Sequence, residues 1–388
     1  MSFSFSTARI VFGLGVRADI AVQAARLGSH CLLVTGGRPE RCDWLLHELN
    51  AVMDSVHAVS VGSEPETGII AAQAAMARKA GCDVVVAMGG GSVLDAGKAL
   101  AALITNTRDL FDYLEVVGRG MPLERAPVAM IAVPTTAGTG SEVTANAVLL
   151  SPEHGIKVSL RSAGMIPNLA VIDPELAVSL PPRQTASTGM DALTQLMEAF
   201  VSHAASPLTD PFCRDGLTRA ARSLRTAVAD GADLEARSDM ALASLFSGMA
   251  LANAKLGAVH GFAAPLGAAL GAAHGEICAA LLPHVMEANI RTLRGGGLNP
   301  ALERYTEVGR LLTDEPGATA EDGVRFVRRL CRDIGIRGLE VLGLEEDAMP
   351  DMARKAARAS SMRGNPVKLD HEELTNILRR AVAQSGRF

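Results

Sequence analysis

The sequence has few cysteines, and no two of them are close together. Cys31, Cys42, Cys82, Cys213, Cys278 and Cys331 are scattered over 388 residues without a CxxC motif. A chain this long needs no disulfide staples, so they read as reduced thiols, as in a cytosolic protein. Aromatic residues make up only 3%, so the core must be aliphatic and rich in alanine. Positive charge is not in excess: 37 Lys+Arg against 42 Asp+Glu leave a net charge of −5. That argues against a generic nucleic-acid binder, which shows a basic footprint. No uncharged apolar run reaches the ~18 residues a membrane helix needs. The best stretch, Leu256 to Leu282, is interrupted by His260, His274 and Glu276. The opening MSFSFSTARIVFG has no basic segment followed by an apolar one, so it does not read as a signal peptide. What remains is an ordinary globular balance, 48% hydrophobic and 20% charged.

Two halves with different patterning follow. Up to about residue 175, short apolar runs read as buried strands: Cys31–Thr35, Val56–Val61, Asp83–Met88, Val128–Val133 and Leu169–Ile172. Helical spacing fills several gaps between them, at Arg17–Leu27, Pro39–Met53, Thr67–Ala80 and Val93–Ile104. Continuous apolar strands separated by helices predict βαβ units and a parallel sheet covered on both faces. Ala147–Ser151 and Lys157–Leu160 predict a hairpin turning at Pro152–Gly155. Pro181 and Pro182 break the chain, and beyond them only helical patterns are convincing. These cover Gln184–Ser202, Pro211–Ala229, Leu234–Ala254, Cys278–Leu293, Ala301–Leu312, Ala320–Ile334, Met349–Ser360 and His371–Gln384, with 295–300 as a loop. The expected organisation is an α/β nucleotide-binding domain over 1–180 and an all-α domain over 181–388.

Four motifs carry chemistry. Gly89-Gly90-Gly91-Ser92 ends a strand and opens a helix, where free backbone N–H groups and the helix dipole suit a diphosphate; a plain tight turn is the other reading. The loop Pro134-Thr135-Thr136-Ala137-Gly138-Thr139-Gly140-Ser141-Glu142 follows a strand at the edge where open α/β sheets bind ligands; Thr139 with Glu142 also fits a capping box. After Cys31–Thr35 come Gly36, Gly37, Arg38 and Arg41, either a site for a cofactor 2′-phosphate or a turn with solvated arginines. In the helical half, Asp191 and Gln195 share a helix face, and His260 and His274 lie 14 residues apart. Such donors bind a divalent metal if they converge; on spacing alone, Asp191 as a cap near Gly189 and two satisfied buried histidines fit as well.

Together these residues resemble the iron-containing (group III) alcohol dehydrogenase family. The likeness runs through GGGSVLDAGKA (Gly89–Ala99), PTTAGTGSEVT (Pro134–Thr144), NLAVIDPEL (Asn168–Leu176), GMDALTQLMEAFVS (Gly189–Ser202), the His260–His274 segment and, more weakly, Gly364-Asn365-Pro366. It covers essentially the whole chain. The resemblance implies a nucleotide-binding α/β domain, an all-helical domain, NAD(P)-dependent interconversion of alcohols and carbonyls, and a homodimer or larger assembly in the cytoplasm. By position, it implies that Gly90, Gly91 and Ser92 hold the pyrophosphate with Asp95 nearby. Thr135, Thr136 and Thr139 would line the adenine and ribose side, and Lys157 would reach the ribose. Gly36 stands where NAD-preferring members commonly have Asp, so with Arg38 beside it NADP(H) is expected to be accepted and slightly favoured.

The resemblance also implies that Asp191, Gln195, His260 and His274 occupy four metal-ligand positions, with Asp191, His260 and His274 acting catalytically through the metal. Gln195 replaces the usual histidine, and Ala264 replaces a further histidine four residues beyond His260. A neutral amide oxygen is a weaker ligand than imidazole. The expected ion is therefore divalent, Fe2+ or Zn2+, with zinc or another such ion favoured over tightly held iron. Three readings compete with this: a metal-independent reductase similar to maleylacetate reductases, a non-redox relative like dehydroquinate synthase, and a nucleotide-binding protein with little catalysis. Arg363 is a candidate for an acidic substrate, or a solvated arginine at a helix end.

Overall fold

The computed structural model of the chain describes residues 5–62, 64–295 and 300–383. They divide into two compact units, one of residues 7–136 and 141–177, the other of residues 137–140 and the chain from 178 onward. In the first unit the strands are β1 (Arg9–Phe12), β2 (His30–Gly36), β3 (Ser55–Val61), β4 (Val84–Gly89), β5 (Ala129–Pro134), β6 (Asn146–Ser151), β7 (Ile156–Arg161) and β8 (Leu169–Ile172). Its helices are α1 (Ile20–Ala25), α2 (Asp43–Val52), α3 (Thr67–Lys79), α4 (Gly91–Thr105) and the single turn α5 (Leu110–Tyr113). Six strands form one parallel sheet in the order β1-β8-β5-β4-β2-β3, and β6 and β7 make the expected hairpin.

The apolar strands are continuous because both faces of the sheet are covered. Leu33, Val84, Val86 and Ile131 pack with Ile20, Leu45 and Leu49 of α1 and α2. Their neighbours Leu32, Val34, Val85 and Ala87 pack with Ile70, Ala74 and Leu100 of α3 and α4. The chain therefore leaves β2 along one face and β4 along the other. The carboxyl ends of β2 and β4 form the topological switch point of the sheet, where open α/β folds bind ligands. Thr35 pairs with Met88, which sets Gly36 beside Gly89.

Three sequence expectations change. The sheet gains β1, a four-residue edge strand parallel to β8, too short to show a period. The stretches at Arg17 and Pro39 begin with 3-10 turns, Val16–Asp19 and Pro39–Cys42, before their α-helices. The Thr139/Glu142 pattern caps no α-helix: Ser141–Val143 is a single 3-10 turn.

A buried polar network fixes α4 against the hairpin. Lys98, 1% exposed, donates to Thr144 Oγ1 at 2.9 Å and to the Asn146 carbonyl, and pairs with Asp95 Oδ1 at 3.0 Å. Asp95 also accepts from Ser141 Oγ at 2.6 Å and from the Val148 amide at 3.0 Å. The buried ammonium and carboxylate are both partnered, as burial requires.

The second unit contains α6 (Pro182–Val201), α7 (Asp210–Ala229), α8 (Leu234–Asn253), α9 (Ala258–Leu270), α10 (His274–Gly295), α11 (Pro300–Thr313), α12 (Ala320–Asp333), α13 (Met349–Arg358) and α14 (His371–Ala383). No strand occurs among its described residues. Residues 296–299 of the expected loop and Gln384 lie outside the described residues. From Thr185 to Val201, α6 is buried at every residue except Thr188, which makes it the central helix. Helix α9 was not expected from the sequence. Among the described residues no single helix is long and apolar enough to cross a membrane.

Burial raises the Glu142 carboxyl from 4.5 to about 7, with its own backbone N–H and Lys98 pulling only partly against that. A carboxyl raised on folding retains a proton that the unfolded chain has already lost. Its contribution to stability is complete below pH 4.5 and disappears as pH rises to about 7. Glu142→Gln should therefore gain on the wild type through that window, by up to about 1.4 kcal/mol per pH unit. Thermal midpoints of the two proteins against pH provide the check; parallel curves would refute it.

Candidate active site

The centre of the helical unit is built on one face of α6. Asp191, Gln195 and Glu198 lie at i, i+4 and i+7 and are all buried. Asp191 is therefore not a cap near Gly189 but a carboxylate in the middle of a buried helix. Glu198, which sequence reasoning missed, organises the neighbouring helix. Its Oε1 accepts from the Val259 amide at 2.7 Å, and its Oε2 from the Gly257 amide at 2.9 Å and the His260 amide at 3.4 Å. These are N–H groups at the start of α9, which lack intrahelical partners, and the carboxylate also meets the positive end of the helix dipole. Glycine at 257 leaves room for this contact: a Cβ there would stand 2.8 Å from Glu198 Oε1 and 3.0 Å from Asn365 Oδ1 and would displace them. The family-like Gly364-Asn365-Pro366 segment acts here too. Asn365 Oδ1 accepts from the Ala258 amide at 3.2 Å and from Asn289 Nδ2 on α10 at 3.0 Å.

Glu198 Oε2 also lies 2.7 Å from His260 Nδ1. Donation of Nδ1–H to the carboxylate orients the ring and leaves Nε2 facing Asp191, the arrangement that supports a metal-binding imidazole. His260 Nε2 is 3.5 Å from Asp191 Oδ1, and His274 Nε2 is 3.6 Å from the same oxygen. Close packing brings α10 to α6: a Cβ on Gly275 would stand 2.0 Å from the Ser187 carbonyl oxygen. At the next residue, Glu276 anchors the helix start through Arg337, at 2.5 and 2.8 Å, and Arg183, at 3.1 Å.

The structure adds a fourth group. Cys278 lies one turn after His274 on α10 and is fully buried, with Sγ 4.0 Å from His260 Nε2. One donor atom from each of Asp191, His260, His274 and Cys278 falls within 4.8 Å of all the others. The H-x-x-x-C spacing is the sequence signal that could have found it. Burial opposes charge on these groups, yet their mutual attraction prevails. His274 and His260 hold the Cys278 thiol and the Asp191 carboxyl below their ordinary values, and Cys278 and Asp191 hold the two imidazoles above theirs.

These residues fit a divalent transition metal. Asp191 is 3% exposed and its Oδ1 accepts no hydrogen bond. A buried carboxylate oxygen without a donor, facing two imidazoles and a thiol, has the chemistry of a ligand set. Gln195 adjoins it differently. Its Nε2 donates to Asp191 Oδ2 at 3.3 Å and its Oε1 accepts from Ser247 Oγ at 2.8 Å. Ala264, one turn beyond His260, is exposed on α9, and Arg363 is exposed in a 3-10 turn.

In the sheet unit, the expected nucleotide residues gather at the switch point. Gly36 closes β2, Gly90 is the N-cap of α4, and Gly91 and Ser92 form its first turn, with unpaired N–H groups suited to an anion. A Cβ on Gly90 would come 3.3 Å from Thr136 Cγ2. The Thr135 amide donates to the Gly89 carbonyl at 2.9 Å, so the threonine loop lies against the glycine loop. Arg38 and Arg41 are exposed, and neither has an ion-pair partner among the described residues. Lys157 pairs with Glu64 at 2.8 Å. Asp95 is engaged in the Lys98 network described above. Thr139 belongs to the helical unit.

Glu198→Gln keeps the shape but weakens the hold on His260 Nδ1 and on the α9 amides. Metal affinity should fall on the order of 10–100-fold, as for other partners of metal-binding histidines. Competition against a chromogenic chelator measures this; unchanged affinity would remove Glu198 from the site.

Comparisons with known proteins place the chain in a family. Residues 7–174 match the family model described as iron-containing alcohol dehydrogenase. Residues 185–382 match that described as Fe-containing alcohol dehydrogenase family, C-terminal. The chain is 38% identical over 313 residues to 1,3-propanediol dehydrogenase of Klebsiella pneumoniae, covering 79% of this chain and 78% of that protein. A crystal structure of a 1,3-propanediol oxidoreductase superposes with TM-score 0.90 at 33% identity, covering 98% of this chain and 100% of the other. Sulfoacetaldehyde reductase from Bifidobacterium kashiwanohense, solved in complex with NAD+, gives TM-score 0.88 at 30% identity, with 99% of each chain covered. With both its units matched by family models and its fold shared end to end, the chain belongs to the iron-containing alcohol dehydrogenase family of oxidoreductases.

Proposed function

We propose that the chain is an NAD(P)-dependent enzyme interconverting an alcohol and an aldehyde or ketone, and that Asp191, His260 and His274 hold its divalent metal. The observation that carries this reading is the convergence of donors from α6, α9 and α10 on the unpartnered Asp191 Oδ1. When bound, the metal supplies Lewis-acid polarisation of the substrate oxygen, and the nicotinamide carries the hydride. The protein's own residues supply position and field. Glu198 fixes the His260 ring, Gln195 restrains Asp191 Oδ2 so that Oδ1 faces the imidazoles, and burial lowers the local dielectric. Ala264 has no proton to give, so the proton would pass through water, a cofactor hydroxyl or another residue. At the switch point, the α4 N-terminus receives the pyrophosphate, and the exposed Arg38 pairs with a 2′-phosphate that no carboxylate at position 36 opposes.

The test pairs metal analysis with turnover. Protein purified anaerobically without chelator should contain close to one divalent ion per chain. NADPH oxidation with short-chain aldehydes should disappear on chelation and return on adding metal. Intact turnover without metal would move the chain to the metal-independent reductases, a reading to which Gln195 lends itself.

Cofactor choice has its own test. NADPH should be used at least as efficiently as NADH. Arg38→Ala should lower kcat/KM for NADPH by roughly tenfold, about 1.4 kcal/mol, and leave NADH nearly unchanged. Gly36→Asp should shift preference toward NADH; its Cβ meets only Val93 Cγ2, at an ordinary 3.8 Å. A large wild-type preference for NADH would refute the assignment of Arg38.

A further inference from the structure

We propose that Cys278 is a metal ligand, that it takes the place the family pattern gives to a histidine at position 195, and that the centre is an Asp–His–His–Cys site of zinc type. The inference rests on the metal reading above and concerns which of this chain's residues complete it.

Three observations lead to it. First, the donor atoms lie close enough to converge on one ion, all four within 4.8 Å of one another. Zinc bonds of about 2.0–2.3 Å imply tetrahedral edges of roughly 3.3–3.8 Å. Asp191 Oδ1 to His260 Nε2 is 3.5 Å and to His274 Nε2 3.6 Å, inside that range; Cys278 Sγ to His260 Nε2 is 4.0 Å, just outside it, a gap that a small side-chain shift closes. Second, Asp191 Oδ1 is buried without a hydrogen-bond donor, so the cluster centres on an unsatisfied acceptor and the cysteine is not isolated. Third, Gln195 is engaged at both ends, by Asp191 Oδ2 and by Ser247 Oγ. It acts as a positioning residue for the carboxylate. The fourth donor then comes from α10, where His274 and Cys278 share one face at i, i+4.

The ligand chemistry decides the class of metal. A thiolate is a soft donor that favours zinc over ions preferring oxygen ligands, and imidazole suits the same ion. Four protein ligands leave the substrate oxygen a fifth position, an expansion that catalytic zinc accommodates.

Cobalt provides a readout independent of turnover. Metal-stripped wild-type enzyme is reloaded with Co(II) without oxygen and its absorption recorded. The expected result is an intense near-ultraviolet thiolate-to-cobalt charge-transfer band, retained in Gln195→Ala and lost in Cys278→Ser. Should Cys278→Ser fail to fold, X-ray absorption at the zinc edge of the wild-type enzyme decides. One sulfur at about 2.3 Å beside nitrogen and oxygen at about 2.0–2.2 Å supports the proposal. Stoichiometric cobalt or zinc without a sulfur signature overturns the role of Cys278 and leaves the metal reading standing. Failure to bind either ion overturns both.

Discussion

The helical unit depends on one buried carboxylate. Glu198 receives three backbone N–H groups from the start of α9 and the Nδ1–H of His260. Burying a carboxylate is costly unless its lone pairs are filled, and here the first turn of a helix fills them. The same contact places the helix and fixes its histidine, so local folding and site geometry are one event. The absence of a Cβ at Gly257 lets the amides approach, and Asn365 braces the same turn through Ala258. The Gly364-Asn365-Pro366 segment, far away in sequence, is thereby tied to the centre without supplying a ligand.

The sheet unit applies the same economy of buried polar groups to another end. Lys98 and Asp95 would each be expensive to bury alone. Paired with each other and bonded to Thr144, Ser141 and the hairpin backbone, they lock α4 in place. Asp95 and Lys98 stand one to two turns into that helix, so the network steadies the N-terminus that follows the glycine loop. Asp95 acts within this network and offers no free carboxylate.

Much of this was legible in the sequence. Apolar runs bounded by turn residues read as β2, β3, β4, β5 and β8 because a sheet covered on both faces requires such runs. The long helices of the second unit read from their period. Edge strand β1 did not, since four residues establish no pattern. Helix α9 did not, because a run dominated by Gly and Ala, with Pro265 inside it, has weak helical character on its own. Its start is imposed by Glu198, 59 residues before Gly257. Asp191, His260 and His274 were legible as donor types, but only the fold shows that they meet. Glu198 and Cys278 were overlooked for the same reason, although their spacing from Gln195 and His274 was in plain view.

A fourth ligand drawn from α10 would change the centre's charge as well as its membership. Asp191 with three neutral imidazoles leaves a divalent cation with one net positive charge. Asp191 with two imidazoles and a thiolate brings the site to neutrality. In a buried setting that difference is strongly felt, because low dielectric amplifies each charge. A neutral centre would be a weaker Lewis acid than a cationic one, and would act alike on both directions of the interconversion.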